Sequence, residues 1–206
     1  MDTPNYTGIA PQQYTGSEII AQASTEFPDE QKAIGFYEQA SKRLVNVNEW
    51  HSLAGVISAS FQASDSNGNP LNRSVAQGDY MRVDVPGPGS KEGDGYDWVE
   101  VEALAETSDE GVQSTAFRVR PAPNPKGDQQ HIAHFYDAGS TSTFEVTREG
   151  TKVYATIYDR NIKPNTDTNS TIDKIRHTPV ALGAIAMFSK AQWQSLANGL
   201  MNREEE

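Results

Sequence analysis

The chain has 206 residues, a formal net charge of −11 and no cysteine. Its length suits one domain of generous size, and the missing cysteine excludes disulfides, thiol catalysis and cysteine-based zinc sites. An acidic balance without any basic run argues against nucleic acid as a partner, because phosphate binding needs clustered Lys and Arg. Hydrophobic residues make up 36% of the chain, enough for a real core diluted by polar loops. Residues 1–10 lack the basic flank and apolar stretch of a secretory signal. No apolar run approaches the ~20 residues of a membrane span. The expected location is cytoplasmic, with no membrane association. The sequons at Asn5, Asn72 and Asn169 then read as chance matches.

Residues 1–26 mix Thr, Gln, Gly, Pro and Ser with isolated tyrosines. They read as a mostly disordered tail with one short element near residues 17–23, in front of a single α+β domain over residues 27–203. Residues 1–20 are expected to be dispensable for folding. The first helix is signalled at Phe27-Pro28-Asp29-Glu30, where proline and acidic residues suit an opening turn. Ala33, Ile34, Tyr37, Ala40, Leu44 and Val47 then recur at helical spacing on one face. Trp50 and Leu53 extend its contact with the core.

The period then changes to two. Val56–Ala63 and Tyr80–Val85 flank Asp65-Ser66-Asn67-Gly68-Asn69-Pro70, a dense turn signal. Asp65, Asn67 and Asn69 alternate like the start of a calcium loop, but Gly68 comes too early and no Glu follows at the right distance, so a turn is expected. The strands 98–104 and 115–120 fit one register. Val101 opposite Val119 and Ala103 opposite Phe117 make an apolar face, while Glu100 opposite Arg120 and Glu102 opposite Arg118 make a charged one. A third hairpin, 144–148 with 151–157 around Glu149-Gly150, pairs Val146 with Val153 and Phe144 with Ala155. Thr178-Pro179 opens a helix over Val180–Phe188 that is apolar all round and therefore expected to be buried. Ser189–Gln192 fits a capping box for a separate terminal helix. The order predicts an antiparallel sheet or small barrel of about six strands, flanked by an N-terminal helix and C-terminal helices.

The residues that suggest chemistry gather in the glycine-rich acidic loop from Pro86 to Trp98. Glycines let backbone approach a ligand, Glu92, Asp94 and Asp97 supply carboxylates, and Tyr96 and Trp98 supply aromatic surface. A divalent cation could use such carboxylates, although the spacing matches no EF-hand; the plainer reading is a solvated connection anchored by its aromatics. Arg160 is placed to meet an anionic ligand or to pair with a carboxylate. Lys174, Arg176 and His177 precede the helix at Pro179, where an anion could sit. His131 and His134 stand three apart in a stretch that does not look helical, so they read as loop histidines rather than a metal pair.

No nucleophile elbow, phosphate loop or dinucleotide motif is present. The predicted function is therefore a non-enzymatic binding or assembly module, recognising a protein partner or small ligand through polar loops and needing no cofactor. The alternative is a small-molecule enzyme, such as a hydrolase, with its pocket between sheet and helices.

Overall fold

The computed structural model describes residues 4–55, 59–86, 90–127, 130–166 and 179–203, the side chains of 179–186 excepted. Its first strand lies where the composition reads as a tail. Ser17–Glu26 (β1) pairs antiparallel with the last strand, Lys152–Ile162 (β7), from Ser17 opposite Ile162 to Glu26 opposite Lys152. The short element expected near residues 17–23 is thus a sheet strand, residues 4–16 are ordered rather than a disordered tail, and the sheet has seven described strands where about six were expected. The composition misleads because β1 is half-exposed. Alternate residues (Ile19, Ala21 and Ala23) reach the core while polar ones face away.

Asp29 caps the first helix, Glu30–Val45 (α1), by accepting a 2.8 Å hydrogen bond from the Lys32 amide. Ala33, Phe36, Tyr37, Ala40 and Leu44 form its buried face. A 3₁₀ turn, Val47–Glu49, leads into the short helix Trp50–Ala54 (α2). The remaining strands are Ser60–Ser64 (β2), Tyr80–Asp84 (β3), Asp97–Asp109 (β4), Val112–Pro121 (β5) and Thr141–Glu149 (β6). The sheet order is β1-β7-β6-β5-β4-β3-β2 and every pairing is antiparallel. Among the described strands only the β1–β7 pairing joins elements that are not consecutive.

Val101 faces Val119 and Glu100 faces Arg120, as the alternation predicts. Beyond them the register changes. Ala103 lies opposite Arg118 and Leu104 opposite Phe117, with Glu102 as the extra residue of a β-bulge. The bulge lets Glu102 meet both Arg118 and Arg120, the latter at 2.6 Å. Burial would raise the Glu102 carboxyl, but the two guanidinium groups outweigh it and hold the group below its ordinary range. The β6–β7 turn is Gly150-Thr151, so Val146 pairs with Ala155 and Phe144 with Ile157. The expected register is off by two residues, which leaves every side chain on its predicted face. Gly150 at φ +57° suits a two-residue hairpin loop that begins with glycine.

Residues 179–200 form one continuous helix (α3), so the capping box at Ser189 does not divide it. A helix apolar on all sides was expected at its start. Met187 is instead 78% exposed and Phe188 half-buried, so the helix meets solvent at Met187. The side chains of 180–186, including Ile185, lie outside the described residues, as do Val56 and the cluster Lys174, Arg176 and His177. The C-terminal half of α3 is closely held. A Cβ on Gly199 would come within 2.2 Å of the Leu53 carbonyl oxygen, so only glycine lets α3 approach α2 this way. Trp193, Leu196, Ala197, Leu200 and Met201 join the core with α1, Trp50 and the inner face of the sheet.

The other face of the sheet is covered by residues 4–16. Glu145 on β6 is 2% exposed. Its carboxylate accepts from the Thr7 amide at 2.9 Å, from the Thr7 hydroxyl at 3.0 Å and from Ser114 at 3.0 Å. The Tyr158 hydroxyl donates to the Pro4 carbonyl at 2.6 Å, and Arg118 donates to that of Ile9 at 2.5 Å. Asn161 Oδ1 accepts from the Tyr14 and Thr15 amides. These bonds hold the segment as a strap along β5, β6 and β7.

Candidate functional site

On a strand, neighbouring residues face opposite sides of the sheet. Val153, Ala155 and Ile157 therefore set the inward phase of β7, and Asp159 continues it. Asp159 is 1% exposed. One oxygen accepts a 2.8 Å hydrogen bond from Trp193 Nε1 on α3, and the other, Oδ1, has no hydrogen-bond partner. The Ser142 hydroxyl, opposite on β6, stands near enough to favour the ionised form without completing a hydrogen bond. Burial dominates and pushes the Asp159 carboxyl up to about 6.

Asp159 lines the polar end of a space between the inner face of the sheet and α3. The main cavity, about 50 Å³, is walled by Phe61, Met81, Val83, Val99, Val119, Phe144, Phe188 and Trp193, with His134, Ser142, Ser189 and Gln192 as its polar groups. A second cavity of about 20 Å³ shares Val99, Val119, His134 and Ser142 with the first and adds Tyr136 and Asp159. The two cavities adjoin across these shared residues, the first apolar towards β2 and β3 and the second polar towards β7. Tyr136 is 7% exposed, and its hydroxyl has no hydrogen-bond partner. Burial, and then the charge of Asp159, raise its pKa far above the ordinary phenol value, against a smaller opposing effect of the Ser189 hydroxyl, which stands near without completing a hydrogen bond. His134 Nδ1 accepts from the Tyr136 amide at 2.9 Å, which makes the ring the neutral tautomer protonated at Nε2. The His134 ring also stacks on Phe135, with centroids 4.2 Å apart.

The residues singled out in the sequence lie elsewhere. Trp98 is 3% exposed and its Nε1 donates to the Gly93 carbonyl at 3.3 Å, so it anchors the acidic loop. Asp97 is buried at the start of β4, Asp94 accepts from Asn124 Nδ2 at 3.1 Å, and the Tyr96 ring lies under the Arg82 guanidinium. Glu92 is half-buried in the same loop. None of these residues lines the cavity. Arg160 faces outward on β7, pairs with Glu18 and lies over the Tyr158 ring. Among the described residues no three His, Asp or Glu side chains converge as metal ligands. Asp65 accepts from the Asn67 and Asn69 amides, as a tight turn requires.

Asp159, Tyr136, Ser142, Trp193 and His134 form no single cluster in the sequence. One signal was available: a carboxylate in the apolar phase of a strand that otherwise reads Val153, Ala155, Ile157.

The Asp159 carboxyl makes a stability prediction. A folded-state value near 6, above the ordinary 3.8, means the folded protein holds this proton more tightly than the unfolded chain does. Its favourable contribution is complete below pH 3.8 and is lost as pH rises through 6, a change on the order of 3 kcal/mol. The stability difference between wild type and Asp159→Asn should therefore shift towards wild type by most of that amount between pH 7.5 and pH 4. Denaturant unfolding across this range reads it, and a pH-independent difference would contradict it.

No family model matches the chain, and no curated protein matches it. Solved structures with loose likeness include a hypothetical protein from Helicobacter pylori, with a TM-score of 0.45 and 11% identity over 89% of this chain and 88% of that one. A START superfamily protein from Mycobacterium smegmatis has a TM-score of 0.36 and 9% identity, covering 88% and 98%. Truncated norcoclaurine synthase from Thalictrum flavum has a TM-score of 0.34 and 11% identity, covering 89% and 96%. Likeness this loose carries no inference about what the chain binds.

Proposed function

We propose that the protein is a binding module for a small, largely apolar molecule held between the sheet and α3. The observation that supports this reading most is the amphipathic cavity itself: aromatic and aliphatic walls closing on a few buried polar groups, the usual make-up of a small-molecule site. At about 50 Å³ the main space takes only a few atoms, so a larger guest needs a wall to move. The turn of α3 at Phe188 and Ser189 is that wall. The C-terminal half of the helix is clamped at Gly199 and by buried Leu196 and Leu200, whereas Phe188 and Ser189 close the cavity next to exposed Met187.

The test uses the neutral apolar fluorophore N-phenyl-1-naphthylamine and a variant that fills the space, Val119→Phe. Overpacking of this kind costs about 1–3 kcal/mol, so near-ultraviolet circular dichroism must first show that the variant is folded. Fluorophore emission should rise with wild type and not with the filled variant. No rise with wild type, or an equal rise with a folded variant, removes the cavity as the site.

One arrangement favours the alternative, an enzyme acting on a small molecule in the same space: a carboxyl that burial pushes up to about 6, lining the same cavity as a histidine. Release of nitrophenol from p-nitrophenyl esters or glycosides, lost in Asp159→Asn, would support a hydrolase over a binding module.

A further inference from the structure

The polar end of the cavity says what kind of molecule it is built to hold. This inference rests on the binding reading above and deepens it. Asp159 is fully enclosed, with Oδ1 unpartnered, and the hydroxyl of Tyr136, enclosed in the same wall, is unpartnered too. Such groups are rare in folded proteins and call for a physical account. A buried carboxylate without a countercharge is costly to hold, and among the described residues lining this cavity no fixed cation faces Asp159. Trp193 supplies one neutral N–H donor, Ser142 and Tyr136 are hydroxyls, and the hydrogen bond at His134 Nδ1 leaves that ring neutral. Arg160, next in sequence, faces the opposite side of the sheet and pairs with Glu18.

We propose that the cavity recognises amphipathic amines, with the ammonium group of the ligand donating to Asp159 Oδ1 and Tyr136 Oη and its apolar body lying between Val99, Val119, Phe144 and Trp193. An ammonium presents several donors and a full positive charge, so it answers both the unpaired acceptor and the unpaired charge. An alcohol answers only the first, and a carboxylate is repelled. Tyr136 in the wall of the second cavity and Trp193 in that of the first add aromatic surface that favours a cation.

The experiment compares three probes with the same chain, n-hexylamine, n-hexanol and hexanoate, by isothermal titration calorimetry at pH 7.5. The expected result is hexylamine binding at least tenfold tighter than hexanol, with no detectable binding of hexanoate. In Asp159→Asn the amine preference should disappear while hexanol still binds. Tyr136→Phe should weaken the amine several-fold more than the alcohol, which keeps the test open if the Asp159 variant does not fold. Equal binding of amine and alcohol by wild type, or a preference that survives in folded Asp159→Asn, overturns the inference while leaving the cavity reading intact. If neither the hexyl probes nor N-phenyl-1-naphthylamine binds, the cavity reading fails and the inference fails with it.

Discussion

A chain that begins after Glu26 is expected not to fold. The deletion removes β1 together with the strap over the outer face of the sheet. Ile19, Ala21 and Ala23 leave the core, and β7, inner in the intact sheet, becomes an edge strand with unpaired backbone groups open to aggregation. α3 and the residues after it also lose partners there: Gln194 donates to the Gln22 carbonyl at 2.9 Å and Arg203 to Thr25 at 2.7 Å. A second deletion, ending before Gly16, separates the two contributions. It keeps β1 but uncovers Glu145 and leaves the carboxylate of that buried residue to water. That variant should fold with a loss of several kcal/mol, because the two hydrogen bonds that Thr7 gives the Glu145 carboxylate, at about 1.5–3 kcal/mol each, are partly replaced by solvent while the Ser114 bond remains. Far-ultraviolet circular dichroism and urea unfolding of both variants measure this. A cooperative, fully structured chain starting at Phe27 would show that β1 contributes nothing essential.

The second large effect is expected at Trp50. This side chain is fully buried, and its ring centroid lies 5.1 Å from that of Phe61, 5.8 Å from Phe117 and 4.7 Å from Phe144. Its Nε1 donates to the Leu44 carbonyl at 3.1 Å, tying α2 to the end of α1. Trp50→Ala should cost about 3–5 kcal/mol, the range for emptying an aromatic site in a packed core. Because Phe61 and Phe144 also wall the cavity, the vacated space adjoins it, and small apolar probes should enter the variant more readily than wild type if it stays folded. Guanidinium unfolding with an unchanged m-value measures the stability loss; a loss under 1 kcal/mol would mean the aromatic cluster is not the centre of the core. Trp50→Phe, which keeps most of the contacts and loses the Leu44 bond, should fall between the two.

Periodicity and capping alone decided the local structure of most of this chain. Asp29 and the apolar face from Ala33 to Leu44 specify α1, the alternation around Val101 and Val119 specifies that pair of strands, and Gly150 forces the last hairpin to turn. These features depend on residues close in sequence, whose spacing maps directly onto backbone geometry. The registers show the limit: alternation defines which face a side chain takes but tolerates a slip of two, as in β6–β7, and it cannot announce a bulge such as the one at Glu102. What only the tertiary structure decided involves distant segments. β1 is a strand because β7, more than 120 residues later, offers it an edge. Asp159 belongs to a site because α3 brings Trp193 to it and the loop before β6 brings His134 and Tyr136. The acidic loop at residues 92–98 drew attention because its polar residues are clustered in sequence, whereas the groups of the cavity are dispersed through the chain and meet only when the sheet closes on the helix.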